Sequence, residues 1–119
     1  MRGERLVLSL PFGIAPTQAA VYPLVSKDGL VERAESVHRS LLQSGLRVEY
    51  DDAGSIGRRY ARADEAGIPL GVTVDYDTLK DGSVTLRDRD SWNQIRVQIS
   101  ELKPTIDSIV KNGFPAKTG

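Results

Sequence analysis

The chain contains no cysteine. Disulfides, zinc–thiolate sites and thiol nucleophiles are therefore excluded, and the composition fits a reducing compartment. Histidine is nearly absent too. The single His38 leaves no room for a histidine metal cluster, and its place off the apolar stripe of the first expected helix reads as solvated. Aromatic residues make up only 6%, with one tryptophan, Trp92. No apolar run approaches the roughly 18 residues of a membrane span, and Met1–Arg5 leads into only a short apolar stretch rather than a signal segment. An excess of either charge is missing as well. Sixteen basic residues face sixteen acidic ones, which argues against attachment to nucleic acid by bulk charge.

What is present suits one soluble domain: 119 residues, 39% apolar and 27% charged. The core is expected over 6–111, with 112–119 as a frayed tail. Eleven of the sixteen basic residues are arginine, the better choice for planar, bidentate recognition.

Strands and helices alternate along the chain. Residues 6–17, with two prolines and a glycine, predict an extended lead-in; the apolar run 18–25 predicts a buried strand with Pro23 near its end. Asp28 is the expected cap of a helix carrying Leu30, Val31, Ala34, Val37, Leu41 and Leu42, closed by Gly45. Leu46, Val48 and Tyr50 alternate as a short strand. A second helix from the Ser55 cap to Gly67 turns Ile56, Tyr60 and Ala63 inward, and 68–75 is a third strand. Right-handed crossovers make these strands parallel. Residues 83–88 and 94–99 then alternate as an antiparallel pair, and Ser100 caps a last helix with Pro104 in its first turn. The expected fold is α/β: a three-layer βαβαβ-β-β-α domain with a mixed five-stranded sheet and three helices.

If 83–88 and 94–99 pair, their apolar residues share one face. The other face presents Thr85, Arg87, Gln94, Arg96 and Gln98, with Arg89 at the turn. These are planar donors and acceptors suited to base edges or phosphates; an ordinary solvated sheet face is the plainer reading. In Arg87-Asp88-Arg89-Asp90, a carboxylate can take the amino donor of cytosine while a guanidinium serves its acceptors. Mutually neutralised surface pairs are the alternative. Trp92 beside them can stack on a splayed base or pack over the hairpin edge. Arg58 and Arg59, one turn into the second helix, suit a phosphate, against the plainer reading of an N-cap with solvated arginines. Asp51-Asp52 at a strand end is a candidate metal-binding acid pair, and with Asp75 and Lys103-Pro104 it resembles the phosphoacceptor site of a receiver, but the order along the chain is wrong for it and turn-forming acids are the plainer reading. No catalytic or metal-ligating residue is assigned.

The strings GSIGRRYARADEAGIPLGVTVD (54–75) and SVTLRDRDSWNQIR (83–96) resemble the C-terminal anticodon-binding domain of glycyl-tRNA synthetases of archaeal and eukaryotic type, as does the lead-in over 8–25. Trp92 departs from the methionine expected there. The resemblance implies recognition of the anticodon loop of tRNA(Gly), whose anticodon has cytosines in its second and third positions. It implies RNA-binding residues at Arg58, Arg59, Thr85, Arg87, Arg89, Asp90, Gln94 and Arg96. It implies no cofactor in this domain, ATP and Mg²⁺ belonging to a catalytic domain that has no counterpart in these residues. The chain alone is then a non-catalytic part of a ligase, a monomer cut from a homodimeric parent, cytoplasmic or of a mitochondrial isoform. An accessory nucleic-acid-binding module of the polymerase-subunit type is the alternative within the same domain family.

Overall fold

The computed structural model describes residues 17–114. The expected lead-in over 6–17, save Thr17, and the tail beyond 114 lie outside the described residues. Five strands form one sheet: β1 (Ala19–Pro23), β2 (Val48–Tyr50), β3 (Leu70–Val74), β4 (Ser83–Asp88) and β5 (Gln94–Gln98), in the order β2-β1-β3-β4-β5. β1 pairs parallel with β2 and β3, whereas β3–β4 and β4–β5 are antiparallel. Four α-helices accompany them: α1 (Leu30–Gln43), α2 (Ile56–Glu65), α3 (Tyr76–Asp81) and α4 (Leu102–Asn112).

The layers follow from chain direction. β2 and β3 lie on opposite sides of β1, so two crossovers of the same hand place α1 and α2 on opposite faces. One face buries the main core. Leu30, Ala34, Val37 and Leu41 of α1 and Leu102, Ile106 and Ile109 of α4 pack there on Val21, Val72, Val74, Val84 and Leu86. On the other face Ala20 and Tyr22 meet Ala63, Ile68, Ile56 and Tyr60, the last two only partly buried. α2 covers only the β1 side of this face.

Three helices were expected and four are present. The extra one, α3, is six residues long and has no apolar stripe. It starts through a capping box, in which the Asp75 carboxylate accepts from Thr78 N and the Thr78 hydroxyl accepts from Asp75 N, and it stops at Gly82 in the left-handed region. The first helix begins at Gly29 with no side-chain cap. Asp28, expected to cap it, takes a φ of 60° and accepts from the Tyr76 hydroxyl instead. A 3-10 turn at Ile99–Glu101 precedes α4, so Ser100 is no cap. Leu42 is exposed, and His38 is half-buried rather than solvated, its Nε2 meeting the Val48 carbonyl at 3.1 Å. Ser55 does cap α2, accepting from Arg58 N.

The division of the hairpin into an apolar and a polar face matches expectation. Val84 faces Val97 and Leu86 faces Ile95, while Thr85 faces Arg96 and Arg87 faces Gln94 on the opposite side. Gly71 lies across from Arg87 on β3. It leaves space for the Tyr22 ring: a Cβ at Gly71 would come within 3.1 Å of Tyr22 Cε2.

Candidate nucleic-acid interface

Between α2 and the β4–β5 hairpin lies an open groove of about 410 Å³, lined by Gly57, Tyr60, Ala61, Asp64, Arg87 and Trp92. The four α2 residues recur at i, i+3, i+4 and i+7, so they form one helix face. Arg87 rests against two rings. Its guanidinium carbon lies 4.4 Å from the Tyr60 centroid and 5.2 Å from that of Trp92. Only 9% of the residue is exposed, yet its guanidinium makes no hydrogen bond or ion pair among the described residues. Cation–π contact supplies part of what burial takes away. Five N–H donors nonetheless stay unspent, which buried polar groups rarely tolerate.

Trp92 is the most exposed large apolar residue described, at 68%. Its place is built by the loop. The Asp88 carboxylate accepts from Ser91 N and Ser91 Oγ, Trp92 N donates to Asp88 O, and Asp88 N donates to Asn93 O. This closes a tight turn that sets Trp92 at a φ of 63°, where bulky residues are seldom found. The indole is thereby presented outward over the groove. Behind it, Tyr60 packs edge-on against Tyr22 at 5.3 Å between centroids, and the Tyr60 hydroxyl lies 3.0 Å from Thr73 Oγ1. Burial, and next the charge of Tyr60, push the Tyr22 hydroxyl above its ordinary pKa, so it stays neutral.

The other expected site residues divide sharply. Arg96 is fully engaged: its five N–H groups reach Ser83 Oγ, Ser83 O, Thr85 Oγ1 and both oxygens of Asp75. That clamp ties the hairpin to the start of α3 and takes Thr85 with it. The Arg96 hydrogen bonds hold the Asp75 carboxyl below its usual range despite partial burial. Arg59, expected to hold phosphate, is only 3% exposed and turned inward. It donates to the carbonyls of Pro23, Asp52, Ala53 and Gly54 and to Ser26 Oγ. It thereby fills the crevice at the carboxyl ends of the parallel strands, where open α/β sheets ordinarily take ligands. Arg58, its neighbour, is exposed at the first turn of α2, its stem beside Gly54. Arg89 and Asp90 pair with each other at the hairpin tip, at 2.9 Å. Gln94 is exposed on β5 across from Arg87.

Asp51 and Asp52 do not form an open acid pair. Asp51 is bidentate with Arg62, which lowers its pKa, and Asp52 accepts from the Tyr50 hydroxyl. No cluster of metal-ligating side chains occurs among the described residues, and no helix among them is long and apolar enough to cross a membrane. Tyr60 and Asp64 were not singled out as site residues from the sequence. Their signal was available in the i, i+4 spacing on the helix that follows Gly54.

Comparison with known proteins agrees with this architecture. The profile of the anticodon binding domain family matches residues 18–109. A glycine–tRNA ligase of Aeropyrum pernix is 54% identical over 110 residues, which are 92% of this chain and 19% of the relative. One from Clostridium acetobutylicum is 49% identical over 108 residues, covering 91% of this chain and 23% of the relative. The chain thus spans about a fifth of the length of the curated relatives it matches. Among solved structures, the RNA binding domain of threonyl-tRNA synthetase from Cryptosporidium parvum superposes with a TM-score of 0.80 at 29% identity, over 94% of this chain and 27% of that one. Prolyl-tRNA synthetase of the same organism gives 0.78 at 25% identity, over 87% of this chain and 22% of that one.

Proposed function

The chain belongs to the anticodon-binding domain family, and on that footing we propose that it recognises the anticodon loop of tRNA(Gly) for a glycine–tRNA ligase. The observation that carries this reading is Arg87, nine-tenths buried, without a hydrogen-bond partner among the described residues and open to a groove walled by Tyr60 and Trp92. An unstacked base fits such a place. Its ring stacks on aromatic faces while the guanidinium donates to acceptors on its edge.

The remaining residues take graded roles. Arg89 and Asp90 at the hairpin tip and Gln94 on β5 offer further donors and acceptors to the neighbouring base. Arg58, exposed at the start of α2, meets the phosphate backbone, where a cation works without regard to sequence. Arg59, Arg96 and Thr85 act from inside, as positioning residues. The chain carries no chemistry of its own and needs no cofactor. ATP, Mg²⁺ and glycine are handled by the remainder of a longer enzyme, which is a dimer, whereas this domain is a cytoplasmic monomer.

The test is binding of tRNA(Gly) and of an anticodon-swapped tRNA by Arg87→Ala and Arg89→Ala. Arg87→Ala is expected to lose both affinity and preference. If both variants keep wild-type affinity and preference, the hairpin and its groove are not the reader. Tight primer–template binding without anticodon preference would instead favour the accessory-module role.

A further inference from the structure

The groove that holds Arg87 has a second charged wall, Asp64. Its carboxylate makes no hydrogen bond or ion pair among the described residues, and it does not pair with Arg87 although both line the groove. It also stands in the last turn of α2, where the helix carbonyl end disfavours an anion. The basic residue of that turn, Arg62, is committed to Asp51. An acid is therefore kept at an electrostatically poor position in the same open groove as an unspent guanidinium, with Tyr60 and Trp92 lining it as well.

This polarity selects among bases. A carboxylate only accepts and a guanidinium only donates. Cytosine places an amino donor at one end of its pairing edge and two acceptors, N3 and O2, at the other. Uracil reverses this, bringing a carbonyl to the acid and an N–H to the guanidinium. Guanine offers two donors and a carbonyl on a larger ring, so it belongs among the competitors to be measured.

We propose that Asp64 is the specificity-determining acceptor of this site: it takes the exocyclic amino group of a cytosine whose N3 and O2 face Arg87, the ring stacked on the exposed Trp92 indole. This rests on the reading that the groove takes an anticodon base. It moves to α2 the role that the sequence pattern suggested for Asp90, which is bonded to Arg89.

The experiment uses the chain with RNA stem–loops of the tRNA(Gly) anticodon arm. Cytosine is replaced, at one anticodon position at a time, by uracil, guanine or pyrimidin-2-one, which is cytosine without its amino group. The wild-type chain is expected to bind the cytosine loop about tenfold or more better than the others at one position. Asp64→Ala and Asp64→Leu, which leave no acceptor there, should bring cytosine and pyrimidin-2-one to near equality, while Glu65→Gln, at the adjacent exposed acid of the same helix turn, keeps the wild-type ratio. Removing an anion from the helix end should leave thermal unfolding unchanged or slightly later, so loss of fold is separable. A cytosine preference that survives in both Asp64 variants overturns the proposal, as does a wild-type chain that ignores the missing amino group or prefers guanine. If the wild-type chain and Arg87→Ala bind every loop alike, the failure belongs to the groove as a base site and not to Asp64 alone.

Discussion

Arg59 and Arg87 are both withdrawn from solvent, and both sit on the face of the sheet that α2 partly covers. Their surroundings are opposites. Arg59 donates to four backbone carbonyls and a hydroxyl, closing the crevice where β1 ends and the loop before α2 passes. Arg87 has two aromatic rings and, among the described residues, no hydrogen bond. A buried cation bonded to the backbone around it belongs to the fold. A buried cation with its donors unspent is held in wait for something that will spend them. The two regions therefore separate stability from recognition within one small domain.

That contrast can be broken by substitution. The largest effect is expected for Arg59→Ala, because each orphaned buried carbonyl costs roughly 1–3 kcal/mol. A loss of about 3 kcal/mol or more, seen as a fall in melting temperature on the order of 10 °C, would place Arg59 with the fold. Arg87→Ala should do the reverse: a smaller loss of stability than Arg59→Ala, because it leaves no described hydrogen-bond partner orphaned and removes only packing, but RNA affinity lower by about 1–3 kcal/mol. Denaturant melts and binding titrations on both variants check the pair. Equal destabilisation by both would dissolve the distinction.

Asp75 sharpens it at a finer level. Its carboxyl pKa is depressed by Arg96, so the stability it adds is complete above the ordinary carboxylate range, near pH 4, and drains away as pH falls through the lower folded value. Asp75→Asn should cost about 1 kcal/mol at neutral pH, discounted because the pair is partly exposed. It should also flatten the acid limb of a stability–pH curve. The smallest effect is expected at exposed Arg58. Its alanine variant should weaken all RNAs alike by a few-fold and lower the salt slope by about one, with no change in base preference.

Much of this layout was legible in the residues themselves. Alternation in 83–88 and 94–99 located the hairpin and put Arg87 and Gln94 on its polar face, where the register pairs them. Ser55 and Gly67 bracketed α2 correctly. α3 escaped because six residues cannot carry a helical stripe; its signals were Asp75, Thr78 and Gly82, which are local rather than periodic. The side-chain roles were harder to foresee. Arg58 and Arg59 are neighbours in the chain, but successive helical residues point about 100° apart, so one meets solvent and the other the strand ends. Arg96 and Arg87 share a sheet face, yet only Arg96 is bonded to an acid, Asp75, which comes from another part of the chain. Which arginine is spent depends on contacts between distant segments, and spacing within one segment does not encode them.

Gly71 lies beneath all of this. Tyr22 rests where a side chain at 71 would stand, Tyr60 leans on Tyr22, and Arg87 leans on Tyr60. The missing methyl thus works as a gauge. Adding it would raise the first ring by a few tenths of an ångström and pass the shift along a close-packed stack to the aperture beneath Trp92. A position that meets neither solvent nor guest sets the calibre of the slot, and with it the thickness of ring the slot admits.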